Sequence, residues 1–503
     1  MTRRLVVAIF ALQLGLAEHA QAALPSASLT TAATELAKLP EARLPAALVR
    51  QQIAALKPQP LRFAVPAALN LDQRNGIWDV DRTGHARWRL RIESEGASSL
   101  ALRLSDIQLP EGAAMWFYDA AGRDVQGPFD RHSAGLVNGQ LSLPLVRSSS
   151  AVLEVLVPVE HRSEVAFKVV EAYHGYRDFG TVANDTVNGP KAAVGNESGT
   201  CNINVVCSEG NSWRDEIRST VLLTIGNSTL CSGSLVSNTR QDDRPLILTA
   251  NHCNIRSGNV GSVVAYFNVQ SSTCNGNDDG RVDQNIVGSA FLARDERADF
   301  TVFTLASTPP ASFNVFYAGW DARDQAVPQS GVTIHHPSGD EKKISAYSAP
   351  ATKVQGERIG DPAPGDGFNV DAWRVNWTRG TTEGGSSGSA LWNQNKQVVG
   401  VLSGGGASCS TPGEPDFFGR LERGWTASSA ASGQLKAHLD PINTGCLQLS
   451  SKNPGTASAI GACTALENGS GSFSLTALLT LLLGIGARQR FNASRSSRAG
   501  AMG

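Results

Sequence analysis

The chain has 503 residues, of which 50 are glycine and 18% are charged, and its formal net charge is −1. A chain so close to neutral argues against a basic nucleic-acid-binding protein and against electrostatic attachment to a membrane surface. Its length predicts two to four domains, and its apolar content is sufficient for buried cores.

The first 22 residues have the pattern of a secretory signal peptide. Arg3 and Arg4 precede the apolar run Leu5 to Ala17, and Ala20-Gln21-Ala22 is a small-residue cleavage site. A helix of the mature protein is the alternative, but the segment is short for a membrane span. The pattern predicts export.

Residues 23–191 are predicted to be a propeptide. The spacing of Ala and Leu from Leu36 to Leu56 favours a helix, and alternating apolar runs from Leu61 to Phe167 predict a small β-sandwich. This part has no cysteine and no convergent set of catalytic residue types. Residues 178–200 lack periodicity and are predicted to be a linker, with Lys191 in its middle.

All eight cysteines lie beyond residue 200: Cys201, Cys207, Cys231, Cys253, Cys274, Cys409, Cys446 and Cys463. An even number in an exported chain predicts disulfides. The absence of a C-x-x-C pair argues against a zinc ribbon or a redox motif. The abrupt start of cysteine usage also predicts a domain boundary near residue 195.

Short apolar runs separated by Gly-rich turns continue from Cys201 to about residue 424. This pattern predicts an all-β fold with a pair of barrels. Gln434 to Leu439 is predicted to be a closing helix, ended by Asp440-Pro441.

The loop Gly384-Gly385-Ser386-Ser387-Gly388-Ser389-Ala390 is the first stretch with catalytic residue types. Glycine allows backbone N–H groups to point into a cavity, so a serine presented there can act as a nucleophile whose oxyanion those groups stabilise. A plain Gly/Ser hairpin loop is the alternative.

Two further stretches supply a base and an acid. His252 follows a predicted strand and precedes Cys253, and a disulfide to Cys231 on the preceding strand would hold it rigidly; a structural histidine is the alternative. Asp299 begins an apolar strand, where a carboxylate needs a partner such as a histidine N–H. Asp283 and Asp295 compete with it, but both lie in polar surroundings.

These stretches together resemble the chymotrypsin-like serine proteases, with His252, Asp299 and Ser387 in the chain order of that family's triad. Leu248 to Cys253 is similar to L-T-A-A-H-C, and Gly385 to Ser389 is similar to G-D-S-G-G. From about Cys201 to Gly445 the chain resembles the bacterial lysyl endopeptidases more closely, through these stretches: Cys201-Asn202-Ile203, Val205-Val206-Cys207, Ala318-Gly319-Trp320-Asp321 and Ile334-His335-His336-Pro337.

The resemblance implies a double six-stranded β-barrel with Greek-key topology and an endopeptidase activity. Ser387 would attack the peptide carbonyl, His252 would carry the proton, and Asp299 would orient the imidazole. The backbone N–H groups of Gly385 and Ser387 would form the oxyanion hole.

The same resemblance predicts the substrate pocket. Asp416, in Asp416-Phe417-Phe418-Gly419-Arg420, matches the aspartate at the base of the family's primary pocket. Ser403-Gly404-Gly405 would form the edge strand that binds the substrate backbone, with serine where the lysyl endopeptidases carry histidine. Their neighbouring tryptophan has no counterpart from Val354 to Gly367. We therefore expect cleavage after Lys, with Arg tolerated.

The implied disulfides are Cys201–Cys409, Cys207–Cys274 and Cys231–Cys253, and Cys446 could pair with Cys463. No cofactor or metal is expected. Asn275 to Gly280 is similar to half of an EF-hand loop, but Ile286 occupies the position of the required glutamate. His335-His336 is predicted to be a loop histidine pair without a metal.

The C-terminal part follows the protease domain, which is predicted to span residues 192–446. Residues 447–472 are a Gly/Ser-rich linker, and 473–503 contain a 15-residue apolar run with a basic tail. This order resembles the GlyGly-CTERM sorting signals, with Gly469 to Ser472 in place of the glycine pair. A permanent anchor is the alternative.

The sequence thus predicts a secreted, monomeric serine endopeptidase made as a self-processing precursor, with Lys191-Ala192 as the maturation bond. Its expected partners are protein or peptide substrates, its own propeptide, the export machinery and a C-terminal processing enzyme, with no nucleic acid. The C-terminal segment would hold it transiently at the cell surface. The alternatives are a protease of the same fold with another specificity, and an inert protease-like binding protein.

Overall fold

A computed structural model describes residues 33–55, 61–122, 124–133, 139–177, 198–276, 280–360 and 367–457. The predicted signal peptide, the maturation bond at Lys191, Cys463 and the C-terminal sorting segment lie outside these residues. Within them, no helix combines the length and the apolar character that crossing a membrane requires.

The described residues of the N-terminal part contain two α-helices, α1 (Ala33–Leu36) and α2 (Ala46–Ala54). The continuous helix predicted from Leu36 to Leu56 is wrong, because a strand at Glu41–Arg43 separates the two helices. Pro40 and Pro45 flank that strand, and proline in a helix interior removes a hydrogen bond and clashes with the preceding turn.

The strands of this part are β1 (Glu41–Arg43), β2 (Ala64–Asp72), β3 (Ile77–Val80), β4 (Ala86–Glu93), β5 (Ser99–Gln108), β6 (Ala114–Asp119), β7 (Val125–Phe129), β8 (Leu141–Val146), β9 (Ser150–Val157) and β10 (Ala166–Gly175). One sheet has the order β1-β4-β9-β6-β7 with β3 beside β4, and the other has the order β2-β10-β5-β8. Side chains of both sheets, including Trp88, Phe117, Leu102 and Phe167, share one core. The two sheets therefore form a sandwich.

The first strands after residue 200 are β11 (Ile203–Asn204), β12 (Thr220–Ile225), β13 (Thr229–Val236), β14 (Leu246–Ala250), β15 (Val263–Tyr266), β16 (Asn285–Asp295) and β17 (Phe300–Leu305), with the short helix α3 (Arg214–Ile217). Strands β12 to β17 close into a six-stranded barrel in the order β12-β13-β14-β17-β16-β15. Its interior is apolar, with Val221, Leu223, Ile247 and Phe303 fully buried.

The remaining strands are β18 (Trp320–Asp321), β19 (Gly331–His335), β20 (Lys343–Tyr347), β21 (Thr352–Ile359), β22 (Phe368–Val375), β23 (Ala390–Asn393), β24 (Val398–Gly405), β25 (Asp416–Arg420) and β26 (Gln448–Leu449). Together with β11 they form a sheet in the order β11-β20-β19-β23-β24-β25-β22-β21, with β18 beside β24 and β26. Two helices follow β25: α4 (Leu421–Trp425) and α5 (Lys436–Leu439), the latter within the predicted closing helix.

The predicted all-β fold class is confirmed, since strands dominate and one six-stranded barrel is closed. In the described residues, the second predicted barrel corresponds to the larger sheet of β11 and β18 to β26. A shared core between the barrel and this sheet, with Leu248, Val302, Trp392 and Val401, holds the two halves together. The predicted site residues lie where these halves meet.

Candidate active site

His252 lies in a single turn, Asn251–Cys253, that directly follows β14. The disulfide Cys231–Cys253 joins this turn to β13, with a Cα–Cα distance of 6.4 Å. The ring Nδ1 lies 2.8 Å from Asp299 Oδ2, and the His252 backbone N–H donates to Asp299 Oδ1 at 2.9 Å. His252 is thus held at both its backbone and its ring, with 23% of its side chain exposed.

Asp299 directly precedes β17, and its side chain is fully buried. Its backbone has a left-handed φ of 46°, which Asp adopts more readily than most residues. Burying a carboxylate is costly unless hydrogen bonds compensate it, and both of its oxygens accept from His252. With Nδ1–H donating to Asp299, Nε2 of His252 carries the lone pair that a general base needs.

The competing acids are engaged elsewhere. Asp295 accepts from the backbone N–H of Ala298 at 2.7 Å, and Asp283 pairs with the neighbouring Arg281. Of the three acids considered from the sequence, Asp299 is therefore the one that contacts His252.

Ser387 stands out from the two other serines of its loop. Ser386 and Ser389 are fully buried, and their hydroxyls bond to His335 Nδ1 at 2.7 Å and to Thr333 Oγ1 at 3.1 Å. Ser387 is partly exposed, and its hydroxyl has no hydrogen bond to any described residue. Among these three serines it alone presents a free hydroxyl.

The loop is fixed against the end of β14, next to His252. The Ser232 N–H donates to the Ser387 carbonyl at 2.8 Å, and Gly388 adopts a φ of +83°. A Cβ on Gly388 would lie 2.1 Å from Thr249 Oγ1 and 2.7 Å from the Ala250 nitrogen, so only glycine allows this approach. The sequence from Thr249 to His252 thus runs directly beside Ser387.

Two backbone N–H groups of the loop remain unused. The N–H of Ser386 donates to Glu383 O, and that of Gly388 donates to Leu402 O. Those of Gly385 and Ser387 donate to no acceptor among the described residues. They are therefore available for an external oxygen atom, as an oxyanion hole requires.

Glu383 stabilises this loop through hydrogen bonds to other segments of the chain. Its carboxylate accepts from the Gly199 N–H, from Asn202 Nδ2 and from Ser338 Oγ, each at 2.9 Å. The N–H of Ser338 in turn donates to Gly384 O at 2.6 Å. Glu383 therefore links the serine loop to the segment that contains Gly199 and Asn202.

The His335–His336 pair belongs to the same support, and its prediction as a loop pair is wrong for His335, which ends β19. Both rings are fully buried, and burial lowers the pKa of His335 to about 3. His335 contacts Ser386, and His336 Nδ1 lies 2.9 Å from Asp340 O. Neutral imidazoles in these positions act as hydrogen-bonding core residues.

Asp416 is at the start of β25, opposite Gly405 of β24, and is 1% exposed. Its Oδ2 accepts from Trp377 Nε1 at 2.6 Å and from Thr382 Oγ1 at 2.7 Å. Burial nevertheless dominates and raises the pKa of Asp416 to about 6, because desolvation favours the neutral acid. A Cβ on Gly405 would lie 2.3 Å from Asp416 Oδ1, so the carboxylate lies directly behind the Gly405 backbone.

Gly404 and Gly405 pair with β25 on one side, opposite Phe417 and Asp416, and Ser403 lies at the register shift just before them. No other described strand pairs with them, so their second edge is open. The Ser403 hydroxyl is buried and has no hydrogen-bond partner among the described residues. An extended peptide could therefore add to this edge.

Three residues of the site were missed by sequence reasoning. Trp377 and Thr382 hold Asp416, and Phe368 stacks on the His252 ring at a centroid distance of 5.2 Å and an interplanar angle of 23°. Phe368 directly follows Val354 to Gly367, the stretch without a counterpart of the tryptophan of the lysyl endopeptidases. Val375 pairs with Asp416 in the sheet, and Trp377 lies two residues after Val375. Knowledge of this register would have indicated Trp377 as a neighbour of Asp416.

Three disulfides join described cysteines: Cys201–Cys409, Cys207–Cys274 and Cys231–Cys253. These are the pairs that the resemblance implies. Cys446 is also disulfide-bonded, and its predicted partner Cys463 lies outside the described residues. Among the described residues, no group of His, Cys, Asp and Glu side chains could hold a metal ion.

Residues 195–419 match the family model of the lysyl endopeptidase C-terminal domain. The chain is 28% identical over 435 residues to the lysyl endopeptidase of Pseudomonas aeruginosa, which covers 78% of this chain and 85% of that protein.

Matches among solved structures include the Rv3671c protease of M. tuberculosis in its active form, with a TM-score of 0.29, 17% identity, and coverage of 44% of this chain and 86% of that chain. A Glu endopeptidase has a TM-score of 0.27, 17% identity, and coverage of 41% and 86%. These similarities to lysyl endopeptidases, over residues 195–419 and over most of the chain, support the conclusion that the chain is a serine endopeptidase.

Proposed function

We propose that this endopeptidase works through a triad of His252, Asp299 and Ser387. The observation that carries the proposal is the buried Asp299 carboxylate, which accepts from both the backbone and Nδ1 of His252 beside the one free hydroxyl of the serine loop. His252 Nε2 takes the proton of Ser387 Oγ as this oxygen attacks the peptide carbonyl. The proton then passes to the departing amine, while Asp299 stabilises the imidazolium.

The negative charge that develops on the carbonyl oxygen is held by the unused N–H groups of Gly385 and Ser387. Preorganised donors of this kind cost no reorganisation during the reaction, and removing one costs about 10²- to 10³-fold in rate. Gly385 adopts a φ of +91°, and a Cβ there would lie 2.9 Å from His336 O, so this position of the loop favours glycine.

Peptide hydrolysis by purified variants tests the triad. Ser387→Ala should reduce kcat to the residual rate that the oxyanion hole and substrate binding supply. Ser410→Ala, at an exposed serine of the same domain, should keep the kcat of the parent. Equal peptide hydrolysis by the parent and by Ser387→Ala would refute the assignment of Ser387, and no hydrolysis by the parent would favour the inert binding protein.

We propose cleavage after Lys, with Arg tolerated. The Asp416 carboxylate is buried and hydrogen-bonded but pairs with no described cation, so a basic substrate side chain would neutralise its charge and an apolar one would leave that charge unpaired. The name of the Pseudomonas aeruginosa relative supports the same preference. A peptide library would test it, and no enrichment of Lys or Arg before the cut would favour a protease of this fold with another specificity.

We further propose an exported precursor that processes itself. The signal-peptide pattern of residues 1–22 and the disulfides support an oxidising destination outside the cytosol. Cleavage at Lys191-Ala192 would break the covalent link between the propeptide and the protease domain, and the segment 473–503 would hold the enzyme transiently at the cell surface. Mass spectrometry of both termini tests this order of events, and Ser387→Ala should leave an uncut precursor. A mature enzyme of normal size from that variant, with no other protease present, would exclude self-cleavage.

A further inference from the structure

The N-terminal sandwich packs on the outside of the closed barrel through a shared apolar cluster. The sandwich contributes Phe63, Ala64, Ala101, Leu145 and Tyr173, and the barrel side contributes Leu222, Leu230, Val264, Tyr266, Val269, Val282 and Val287. Tyr266 is fully buried in this contact. Without the sandwich, the seven apolar residues of the barrel side would lose this cover, and contiguous exposed apolar patches mark binding surfaces.

Polar groups fix the orientation of the two parts. Asn227, in the turn between β12 and β13, donates from Nδ2 to the carbonyls of Leu102 and Leu143, at 3.4 and 3.3 Å. Asn285 donates to Gln126 Oε1 at 3.1 Å. The contact is thus both apolar and directional.

A short extended segment of the N-terminal part pairs with the open edge of β13. The Leu230 N–H donates to Leu61 O, the Phe63 N–H donates to Ser228 O, each at 3.0 Å, and Arg62 faces Thr229 in an antiparallel bridge. On the same edge, the Ser232 N–H donates to Ser387 O. Residues 230 and 232 are two apart, so Leu61 O lies about 7 Å along the strand from the backbone of the catalytic serine.

The side chain of Leu61 reaches the oxyanion loop itself. Its Cδ2 lies 3.1 Å from the position that a Cβ on Gly385 would take. The Ser387 loop is bonded on one side to Ser232, which continues the edge Ser228–Leu230. On its other side, Gly388 and Ser389 are bonded to Leu402, which precedes the open edge Ser403–Gly405. The two edges therefore lie on opposite sides of the loop. Since Asp416 adjoins Gly405, residues after the scissile bond would lie along Ser228–Leu230.

We propose that the N-terminal sandwich is an inhibitor that stays docked after the connecting chain is cut, with Leu61–Phe63 occupying the edge that binds the leaving side of a substrate. This inference rests on the proposed active site and adds its regulation. Strand addition uses backbone hydrogen bonds, so the segment competes with substrates of any sequence on that side. Cleavage of the linker alone leaves the apolar cluster intact, and activation requires dissociation or degradation of the sandwich.

The test uses the full chain with Lys191→Gln and a site for a sequence-specific cysteine protease inserted between Asn188 and Gly189. After cutting, gel filtration reports whether the two parts stay together, and the rate of Ser387 labelling by a fluorophosphonate reports access. We expect co-elution with slow labelling at micromolar concentration and faster labelling on dilution. Separation of the two parts on cutting, or labelling at the rate of the isolated mature enzyme without dilution, would overturn the inference.

Variants separate the edge strand from the rest of the contact. Leu61→Ala should accelerate labelling of the cut complex at least about tenfold, whereas Ile77→Ala, at an exposed residue of the sandwich, should not change it. Asn227→Gly keeps the left-handed turn and removes two hydrogen bonds to the sandwich, so it should weaken co-elution. Equal labelling rates of Leu61→Ala and Ile77→Ala would refute the role of the edge strand. If the separated protease part never labels, the proposed active site fails, and co-elution still decides the docking.

Discussion

Replacing Asp416 by Asn should reduce cleavage after Lys and at the same time stabilise the substrate-free enzyme. The carboxylate is almost fully buried and receives hydrogen bonds from Trp377 and Thr382, but no described cation pairs with it. It therefore carries a desolvation cost that a basic substrate side chain relieves. Removing one partner of a buried ion pair costs about 3 kcal/mol or more, which corresponds to at least about 100-fold in kcat/KM for a lysyl substrate.

The effect on stability follows from the raised pKa of Asp416, about 6 in the folded protein against 3.8 as the ordinary value. The folded state binds this proton more tightly than the unfolded state, so the stabilisation is complete below about pH 4 and is lost as the pH rises to about 6. The shift corresponds to about 3 kcal/mol. The free energy of unfolding of Asp416→Asn should therefore exceed that of the parent by up to that amount at about pH 8. At about pH 4 the two free energies should be equal.

The assay compares kcat/KM for matched peptides with Lys or norleucine before the cut, together with urea unfolding at both pH values. Ser387→Ala enzyme also allows binding of benzamidine to be followed without turnover, and its affinity should fall about tenfold from about pH 8 to pH 5 as Asp416 takes up its proton. Thr382→Val serves as a matched control, since it removes a hydrogen bond to Asp416 but keeps the charge. An unchanged Lys preference in Asp416→Asn would refute the assigned pocket.

Three further predictions concern the supports of the triad. Asp299→Asn should lower kcat about 10⁴-fold with little change in KM, because an amide facing Nδ1 selects the wrong tautomer of His252, and a loss below about tenfold would contradict this role. Phe368→Ala should lower kcat about tenfold by removing the ring that stacks on His252, and Phe368→Trp should restore it; equal kcat values for both variants would exclude the stacking role. Glu383→Gln should destabilise the enzyme by about 2 kcal/mol and lower kcat, since it weakens three hydrogen bonds that hold the serine loop, whereas Glu414→Gln, at an exposed acid, should change neither urea unfolding nor kcat.

The sequence predicted the parts of the site that lie within contiguous motifs. His252 precedes Cys253, whose disulfide fixes the turn. Ser387 lies among glycines that allow the close approach of the loop to β14. Asp299 was recognised because a carboxylate at the start of an apolar strand requires a partner. These residues could be read from local pattern because each motif carries its own constraint.

The residues that the sequence did not reveal depend on strand register and on long-range packing. Trp377 meets Asp416 across 39 residues of chain through the pairing of β22 with β25. The contact between Leu61 and Gly385 joins parts of the chain more than 300 residues apart and follows from docking of the sandwich on the barrel. Apolar periodicity indicates a strand but not its partner, so neither contact is visible in one sequence.

The central claim, that Ser387 is the nucleophile, is tested most directly by peptide mapping of the mature enzyme after reaction with a fluorophosphonate. We predict one adduct, on Ser387, and none on Ser386 or Ser389, whose hydroxyls are buried and hydrogen-bonded. An adduct on another serine, or none in enzyme that hydrolyses peptides, would contradict the account.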